Sequence, residues 1–390
     1  MEDIFELNED KTILLEVLNK NVTEIVIPEG VEEIEEDAFF GCSSLKSVSI
    51  PNSVTFIGDG AFMDCSSLEY INIPNSVTSI GFAAFRECSS LKNINIPNSV
   101  TSIDDSAFYY CSSLQNINIP NSVTLIDDNA FEGCSSLENI DIPESVISIG
   151  YAAFKDCSSL KSINIPNSVT SIGFAAFSGC SSLDSINVIS GNAYFTLIDG
   201  VLFSKDLCTI HCVPIQKRLV EYQIPNGVTS IGEDAFRNCS TLENVYIPNS
   251  VTSIGNRAFE GCSSLHNINL PDSVTSIGWG TLGGCSSLES INIPNGVTSI
   301  EEWTICDCAS LHSIEIPKSV ISIKEYAIYC CDNLKSIRFH HQEIEKCEIA
   351  NSVFEGMDFD NCTLYIPSGT QEVYRKHPVF SKFKNISEKP

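Results

Sequence analysis

The chain has 390 residues, of which 43% are hydrophobic, and its 22 basic and 50 acidic residues give a formal net charge of −28 at pH 7. A negative field of this size repels phosphate backbones and anionic lipid headgroups, which argues against nucleic acid and membrane surfaces as partners. The hydrophobic content argues against an acidic disordered chain, and no apolar run approaches the roughly 18 residues that insertion across a membrane needs.

A unit of 23 residues recurs along most of the chain, and the stretch from Cys65 to Glu87, CSSLEYINIPNSVTSIGFAAFRE, is one copy. Self-similarity at a period of roughly 20 to 50 residues is typical of a solenoid, in which each unit buries its apolar face against its neighbours. We therefore expect a stack of coils rather than two or three globular domains. The repeat is marked by cysteines at Cys42, Cys65, Cys88, Cys111, Cys134, Cys157 and Cys180, and again at Cys239, Cys262, Cys285, Cys308 and Cys331.

Residues 1–41 are predicted to form an N-terminal cap followed by one variant coil, because a terminal repeat has no neighbour on one face. Their apolar residues fall on the repeat positions, while Asn19 stands where the cysteine is expected. The first nineteen residues start with acidic side chains and lack a long apolar core, so they do not resemble a signal peptide. This favours a cytoplasmic protein, unless a signal has been removed or the protein leaves the cell by another route.

Each coil over residues 42–187 is predicted to hold two short strands. In the copy quoted above, Leu68, Ile71 and Ile73 form the first strand, and the alternation of Ile71 and Ile73 with polar residues sends both isoleucines inward. Pro74 ends this strand because it cannot donate to a ladder. Residues 77–80 are expected to form the second strand.

A helical turn is predicted to close each coil. Gly81 permits a corner, and residues 82–87 are long enough for one turn of helix that directs Ala84 and Phe85 inward. The phenylalanines at the Phe85 position should then stack into a column through the core. This column comprises Phe39, Phe62, Phe85, Phe108, Phe131, Phe154, Phe177, Phe236 and Phe259.

Twelve of the eighteen cysteines occupy one repeat position, so they are expected to stack inside the coils. Neighbouring strands lie about 4.8 Å apart, and a disulfide accepts Cα separations of roughly 4.4 to 6.8 Å, so distance alone does not forbid pairing. Because a small apolar thiol is a common core filler, the prediction is a buried ladder of free thiols.

The first strand and its corner, Leu68-x-x-Ile71-x-Ile73-x-x-Ser76, are similar to the leucine-rich repeat pattern L-x-x-L-x-L-x-x-N. The full unit, CSSLxxINIPNSVTSIGxxAFxxC, resembles the BspA-like leucine-rich repeat family of bacterial and protist proteins. The resemblance implies a repeat solenoid, a leucine-rich repeat right-handed superhelix, β-rich with a second short strand and one helical turn per coil, here of about fourteen coils. It also implies proteins often found at cell surfaces and associated with adhesion or the binding of host proteins.

The register is interrupted at residues 188–222. Two extended runs, residues 200–203 and 208–213, are separated by Ser204-Lys205-Asp206, which is typical of a hairpin turn. Similar islands occur in the family that the chain resembles. We therefore predict a β-hairpin island here.

Leucine-rich repeats resume over residues 223–346, where individual residues begin to depart from the repeat pattern. Trp279 and Trp303 stand at positions that vary in the earlier coils. The closing residues 347–390 resemble the C-terminal cap of the same family and are expected to cover the last open coil.

Motifs of catalysis and of metal or cofactor binding are not found in the sequence. No glycine-rich phosphate loop follows a strand, and neither G-x-S-x-G nor H-E-x-x-H occurs. His211 lies between Cys208 and Cys212, but a fourth ligand for tetrahedral zinc is not evident. Acidic pairs such as Asp104-Asp105 recur at exposed corners, where solvation explains them better than a catalytic pair does, with a shared calcium ion as the alternative. We expect neither an enzyme nor a cofactor.

The outward strand positions form a continuous face that is rich in asparagine, and a face this uniform could serve solubility alone. Aromatic departures from it are better candidates for recognition, because aromatic anchors dominate binding hot spots. The prediction is noncatalytic, adhesin-like binding of a protein or glycan partner, with an intracellular interaction scaffold as the alternative. The residues predicted to contact the partner are Tyr70, Asn72, Asn95, Asn118, Tyr246, Trp279 and Trp303.

Overall fold

The computed structural model, which describes residues 4–388, shows a parallel β-solenoid of about sixteen turns with few helices. The chain consists of two compact units, residues 1–205 and residues 206–390, called here the first and the second unit. The solenoid has more turns than the roughly fourteen expected, because the strand ladders continue into both predicted caps. The outermost residues of those caps, 1–3 and 389–390, lie outside the described residues.

The first unit begins with an antiparallel hairpin formed by Phe5–Leu7 and Ile13–Val17. The side chain of Asn8 stabilises the turn, since its Oδ1 accepts hydrogen bonds from the backbone N–H groups of Thr12 at 2.8 Å and Ile13 at 3.0 Å. Ile13–Val17 then pairs in parallel with Glu33–Ile34. The hairpin thus provides the first rung of the ladder of second strands.

The first strands of the first unit pair in parallel, with a shift of 23 residues between partners, so that Ile71 lies beside Ile94 and Asn72 beside Asn95. The isoleucines are buried and the residues that flank them are exposed. Between the two sheets, residues 139–141 keep Ile140 buried although they form no regular strand. The first sheet comprises Glu24–Val26, Ser47–Ser49, Tyr70–Asn72, Asn93–Asn95 and Asn116–Asn118, and the second comprises Ser162–Ile165 and Ser185–Val188.

The predicted second strands are present and are two residues long in these coils. Each places an isoleucine inward. In most of these coils a threonine precedes the strand, and Thr78 bonds to the preceding coil: its N–H donates to the Thr55 carbonyl oxygen at 2.9 Å, and its hydroxyl donates to the same oxygen at 3.2 Å. After Ile13–Val17 these strands are Glu33–Ile34, Phe56–Ile57, Ser79–Ile80, Ser102–Ile103, Leu125–Ile126, Ser148–Ile149 and Ser171–Ile172.

The prediction of one helical turn per coil is wrong. In residues 82–87 the amides alternate between two kinds of partner: Arg86 N–H donates to the Ala83 carbonyl within the coil at 2.9 Å, whereas Phe85 N–H donates to the Ala107 carbonyl of the next coil at 2.9 Å. Ala83 and Glu87 have φ of +52° and +61°, which a right-handed helix excludes. The segment is a series of tight turns, because its amides also hold the neighbouring coil.

The predicted phenylalanine column is confirmed. In the first unit its rings lie 4.5 to 6.0 Å apart between centroids, from Phe39 to Phe177, and in the second unit Phe236 and Phe259 lie 5.0 Å apart. All these pairs are stacked, and the side chains are buried. The ring column ends after Phe259, since Leu282 occupies the equivalent position in the next coil.

The twelve repeat-position cysteines are buried free thiols, as predicted. Ten of the twelve are anchored to the backbone in the way that Cys134 is, whose thiol donates to the carbonyl oxygen of Phe108 at 3.2 Å. Burial raises the pKa of the Cys134 thiol well above its ordinary value. The column therefore contributes weak thiol donors as well as apolar volume.

The interruption contains an antiparallel hairpin formed by Phe195–Ile198 and Val201–Ser204. Its two-residue turn is Asp199-Gly200, both with positive φ, which is the backbone that this dipeptide favours in hairpins. Asn192, which is 2% exposed, fixes the entry to the hairpin, because its Oδ1 accepts hydrogen bonds from the N–H groups of Tyr194 at 2.8 Å and Phe195 at 2.9 Å. Sequence analysis identified the second strand of this hairpin and missed the first.

The second unit holds a parallel sheet of eight first strands, with its second strands beside it. The first strands are Glu221–Gln223, Asn244–Tyr246, Asn267–Asn269, Ser290–Asn292, Ser313–Ile316, Ser336–Phe339, Thr363–Ile366 and Asn385–Glu388. The second strands are Thr209–Cys212, Ser230–Ile231, Ser253–Ile254, Ser276–Ile277, Ser299–Ile300, Ser322–Ile323 and Glu348–Ile349, and a third pair is Ile305–Cys306 with Ile328–Tyr329. Among the described residues of this unit, the helices are one α-helix, Gln371–Lys376, and three 3-10 helices, Ile215–Lys217, Ile344–Lys346 and Phe380–Lys382.

The α-helix covers the core near the end of the second unit. Its buried side chain, Tyr374, lies 5.1 Å from Phe380 and 6.3 Å from Phe339 between ring centroids. The Tyr374 hydroxyl donates to the carbonyl oxygen of His341 at 3.0 Å, which satisfies its polar end. Aromatic packing here replaces the contact that a further coil would make.

Candidate binding surfaces

The outward side chains of the first strands form a continuous surface in each unit, called here the strand face. In the first unit Asn72, Asn95 and Asn118 are exposed and lie side by side on neighbouring strands. Tyr70 lies in the adjacent column beside Asn93 and is 61% exposed. The structure therefore brings these four predicted contact residues onto one surface.

Charged side chains beside the strand face of the first unit pair with one another from coil to coil. Lys92 Nζ lies 3.0 Å from Glu69 Oε2, and Lys161 Nζ lies 2.6 Å from Glu138 Oε2. The lysines lower the pKa of both glutamates. Exposed pairs of this kind contribute little to stability, so they are easily broken by a partner or by salt.

In the second unit one outward column of the strand face changes composition along its length. Tyr246, another predicted contact residue, is 56% exposed and lies beside Asn269. Charged and aromatic residues replace asparagine further along. The column runs Tyr246, Asn269, Asn292, Glu315, Arg338 and Tyr365.

Four residues near the end of this column form what we call the Arg338 patch: Glu315, Arg338, His340 and Tyr365. The Arg338 guanidinium lies 5.3 Å from the Tyr365 ring centroid, and the His340 ring bonds to the Glu315 carboxylate. A shallow cavity of about 430 Å³ lies over this column. Sequence analysis missed these residues, although following the asparagine column at its 23-residue spacing would have found Glu315 and Arg338.

Trp279 and Trp303 lie away from the strand face, on the turn segments of the second unit. They line one cavity of about 420 Å³, which we call the notch. Trp279 is 40% exposed. Trp303 has a φ of +57° and stacks on Tyr326 at 4.6 Å between ring centroids. The structure thus brings the two predicted tryptophans together, but separates them from the tyrosines and asparagines.

Arg257 forms one wall of the notch, and its positive charge is balanced by carboxylates of the same chain. Its guanidinium lies 4.4 Å from the Trp279 ring centroid. Its nitrogens lie 3.6 Å from a Glu233 carboxylate oxygen, 3.4 Å from one of Asp234 and 3.8 Å from one of Glu260. A stacked guanidinium that is also paired with carboxylates is a stable arrangement for arginine.

Within the described residues 4–388, no group of three or more His, Cys, Asp and Glu side chains is placed to hold a metal ion. Cys208 and His211 lie at the start of the second unit, where burial lowers the pKa of His211 to about 4. In the same described range, no helix combines the length and the apolar character needed to cross a membrane.

This arrangement of parallel first strands, second strands and turns in a 23-residue register defines a leucine-rich repeat solenoid. The sequence profile described as the BspA type leucine rich repeat region, in six copies, matches residues 18–138, 101–221, 215–305 and 253–387. The chain belongs to this family, as its repeat pattern predicted.

Solved structures agree with this assignment. A leucine rich cell surface protein from Faecalibacterium prausnitzii A2-165 is 36% identical, with a TM-score of 0.76, over 86% of this chain and 92% of that one. A leucine-rich repeat protein from Eubacterium ventriosum is 27% identical, with a TM-score of 0.62, over 75% of this chain and 84% of that one. The pneumococcal vaccine antigen PcpA shares the fold, at 21% identity and a TM-score of 0.58, over 99% of this chain and 82% of that one. No protein of curated function matches the chain.

Proposed function

We propose that this protein is a noncatalytic binding protein that recognises a protein partner through its strand face, in the manner of an adhesin. The observation that carries the proposal is the Arg338 patch. Most outward positions of the strand face are asparagine or serine, whereas this patch combines a stacked arginine, a paired histidine and a tyrosine on one sheet. Arginine and tyrosine are enriched among the residues that dominate interface energies.

Rigidity of the sheet supports the same function. Arg338 lies between Glu315 and Tyr365 on neighbouring strands that pair in register. The backbone positions of these side chains are therefore fixed before any partner arrives, which reduces the conformational entropy lost on binding. We place the protein at the cell surface, because the 36% identical relative is described as a cell surface protein.

The proposal is tested with the full chain as bait. The bait captures proteins from cells that come into contact with the organism that makes this protein. Each captured protein is purified, and its dissociation constant is measured for the wild type and for Arg338→Ala. The expected result is binding weakened by about tenfold, which corresponds to about 1.4 kcal/mol. Arg375→Ala removes an exposed arginine from the α-helix and serves as the matched control, which should bind as the wild type does.

Two results would contradict the proposal. One is a partner whose affinity is the same for the wild type and for Arg338→Ala, which would place binding elsewhere. The other is capture that is lost when the partner is enzymatically deglycosylated, which would make the ligand a glycan. Protease treatment of intact native cells tests the location, since a surface protein should be lost from them.

A further inference from the structure

The notch results from the absence of side chains in a single coil. At two turn positions the coil of residues 278–285 has glycines, Gly280 and Gly283, where the coils on either side carry larger residues; at its third glycine, Gly284, only the following coil does. The backbone continues without a break, since Gly280 N–H donates to the Glu302 carbonyl at 2.9 Å and Gly284 N–H donates to the Cys306 carbonyl at 2.8 Å. The notch is therefore a gap in a layer of side chains and not a defect of the fold.

The width of the gap suits one flat chemical group. Arg257, Gly280 and Trp303 occupy the same position in three successive coils, so Arg257 and Trp303 are about 9.6 Å apart along the stack, twice the usual strand spacing. The Arg257 side chain leans towards this level, since a Cβ at Gly280 would lie 3.0 Å from its Cγ, so a planar group would pack on the Trp303 side of the gap, about one strand spacing from that residue. On the far side of Trp303, the Tyr326 ring already stacks at 4.6 Å.

The charges around the notch favour a cation. The guanidiniums of Arg237 and Arg257 face three carboxylates, those of Glu233, Asp234 and Glu260, at distances of 3.4 to 4.0 Å. Asp307, an exposed residue on the Trp303 side of the notch, adds a fourth carboxylate. A flat cation placed against Trp303 would gain a cation–π contact and the attraction of Asp307.

We propose that the notch binds an arginine side chain presented by a protein partner. Guanidinium is the flat cation that proteins carry, and it stacks on indole and pairs with carboxylates. Arg257 shows the same chemistry within this chain, as its guanidinium lies over Trp279 and beside carboxylates. The inference rests on the proposed protein-binding function only for the origin of the arginine, since the site itself can be tested with a small molecule.

The two tryptophans of the chain both line the notch, so tryptophan fluorescence reports on this site alone. The full chain is titrated with N-acetyl-arginine amide, with the uncharged isostere N-acetyl-citrulline amide, and with methyl glucoside. We expect a saturable change in emission with the arginine probe in roughly the millimolar range. The citrulline probe and the glucoside should give no saturable change.

Three variants locate the effect. Asp307→Asn should weaken arginine binding at least fivefold, whereas Asp64→Asn, the same change at the equivalent position of a first-unit coil, should leave it unchanged. Gly280→Tyr should abolish binding by filling the gap. The φ of Gly280 is +63°, and Arg257 and Trp303 have similar values of +49° and +57° at this position, so the backbone accepts a side chain there. The Arg257 side chain must shift slightly, since the new Cβ would lie 3.0 Å from its Cγ. Circular dichroism and the thermal midpoint verify that each variant folds.

The proposal is overturned by a linear response to the arginine probe, by equal affinity for the citrulline probe, by saturable binding of the glucoside alone, or by an Asp307→Asn variant with wild-type affinity. Arg338→Ala should not change the titration, because the Arg338 patch lies on the strand face and the notch on the turn segments. The titration with the arginine probe therefore tests the notch alone, and the partner affinity of Arg338→Ala tests the strand face alone.

Discussion

Phenylalanine contributes the largest fully buried side chain of most coils, and its neighbours lie in the coils above and below. Phe131 is 0% exposed, and its ring centroid lies 5.5 Å from that of Phe108 and 5.4 Å from that of Phe154. Loss of one ring thus leaves a cavity bounded by two others, which cannot move without displacing their own coils.

We expect Phe131→Ala to lower the free energy of unfolding by about 3 to 5 kcal/mol, through lost burial and an unfilled cavity. Ring stacking adds about 0.5 to 1.5 kcal/mol per pair to what burial supplies. Denaturation in guanidinium chloride, followed by circular dichroism, measures the effect. Phe82→Ala removes an exposed ring from the same kind of turn and is the control. An unchanged unfolding midpoint for Phe131→Ala would show that the column does not stabilise the fold.

At the scale of the element, the turn segments show how backbone bonding decides between two local structures. Six residues suffice for one helical turn, but a helix would use its own carbonyls to satisfy its amides. In the coil that contains Phe85 alternate amides donate to the next coil instead. The stack of coils gains hydrogen bonds from this arrangement at each level, whereas an isolated helical turn is marginal in water.

The strand Thr209–Cys212 holds a buried histidine, His211, that makes the stability of the fold depend on pH. Burial disfavours the imidazolium of His211 and lowers its pKa to about 4, against the partial compensation of Asp206. In the unfolded chain the same group has a pKa near 6.5. Between these values the unfolded state binds a proton that the folded state does not, so stability is lost as the pH falls from about 6.5 to about 4.

We expect this group to account for about 2 to 3 kcal/mol of that loss. The measurement is the free energy of unfolding as a function of pH for the wild type and for His211→Gln, which cannot titrate. The difference between the two curves isolates His211 from the carboxylates that titrate in the same range. His312→Gln, at an exposed position, should give a curve parallel to the wild type. A parallel curve for His211→Gln would contradict the assignment.

At the scale of the whole molecule, the cysteines divide into two groups. Thirteen of the eighteen thiols are buried, and five are half-buried: Cys208, Cys212, Cys306, Cys330 and Cys347. Burial raises the pKa of Cys111 and of most other thiols in the buried group, which suppresses the reactive thiolate.

Titration with a thiol reagent should therefore detect no more than five reactive groups in the native protein and eighteen in denaturant without reductant. Peptide mapping after alkylation identifies which thiols react. Fewer than eighteen groups in denaturant would reveal disulfides, and rapid labelling of Cys134 in the native state would contradict the buried ladder.

The sequence by itself determined the solenoid, its register, the phenylalanine column and the thiol ladder. Positions such as Phe131 and Cys134 recur every 23 residues, and a residue that must face inward in one coil must do so in all of them. The same regularity placed Tyr70, Asn72 and Tyr246 on an outward face, because the side-chain period of a strand is two.

Tertiary structure alone decided the turn conformation, the notch and the Arg338 patch. Whether the amide of Phe85 bonds within its own coil or to the next depends on the distance between coils, which the sequence of one coil does not contain. In the sequence, Gly280 indicates only a turn. It lines a cavity because Arg257 and Trp303 lie one coil away on either side of it. These features arise between residues about 23 apart in sequence, where the spacing of strands brings side chains together in space.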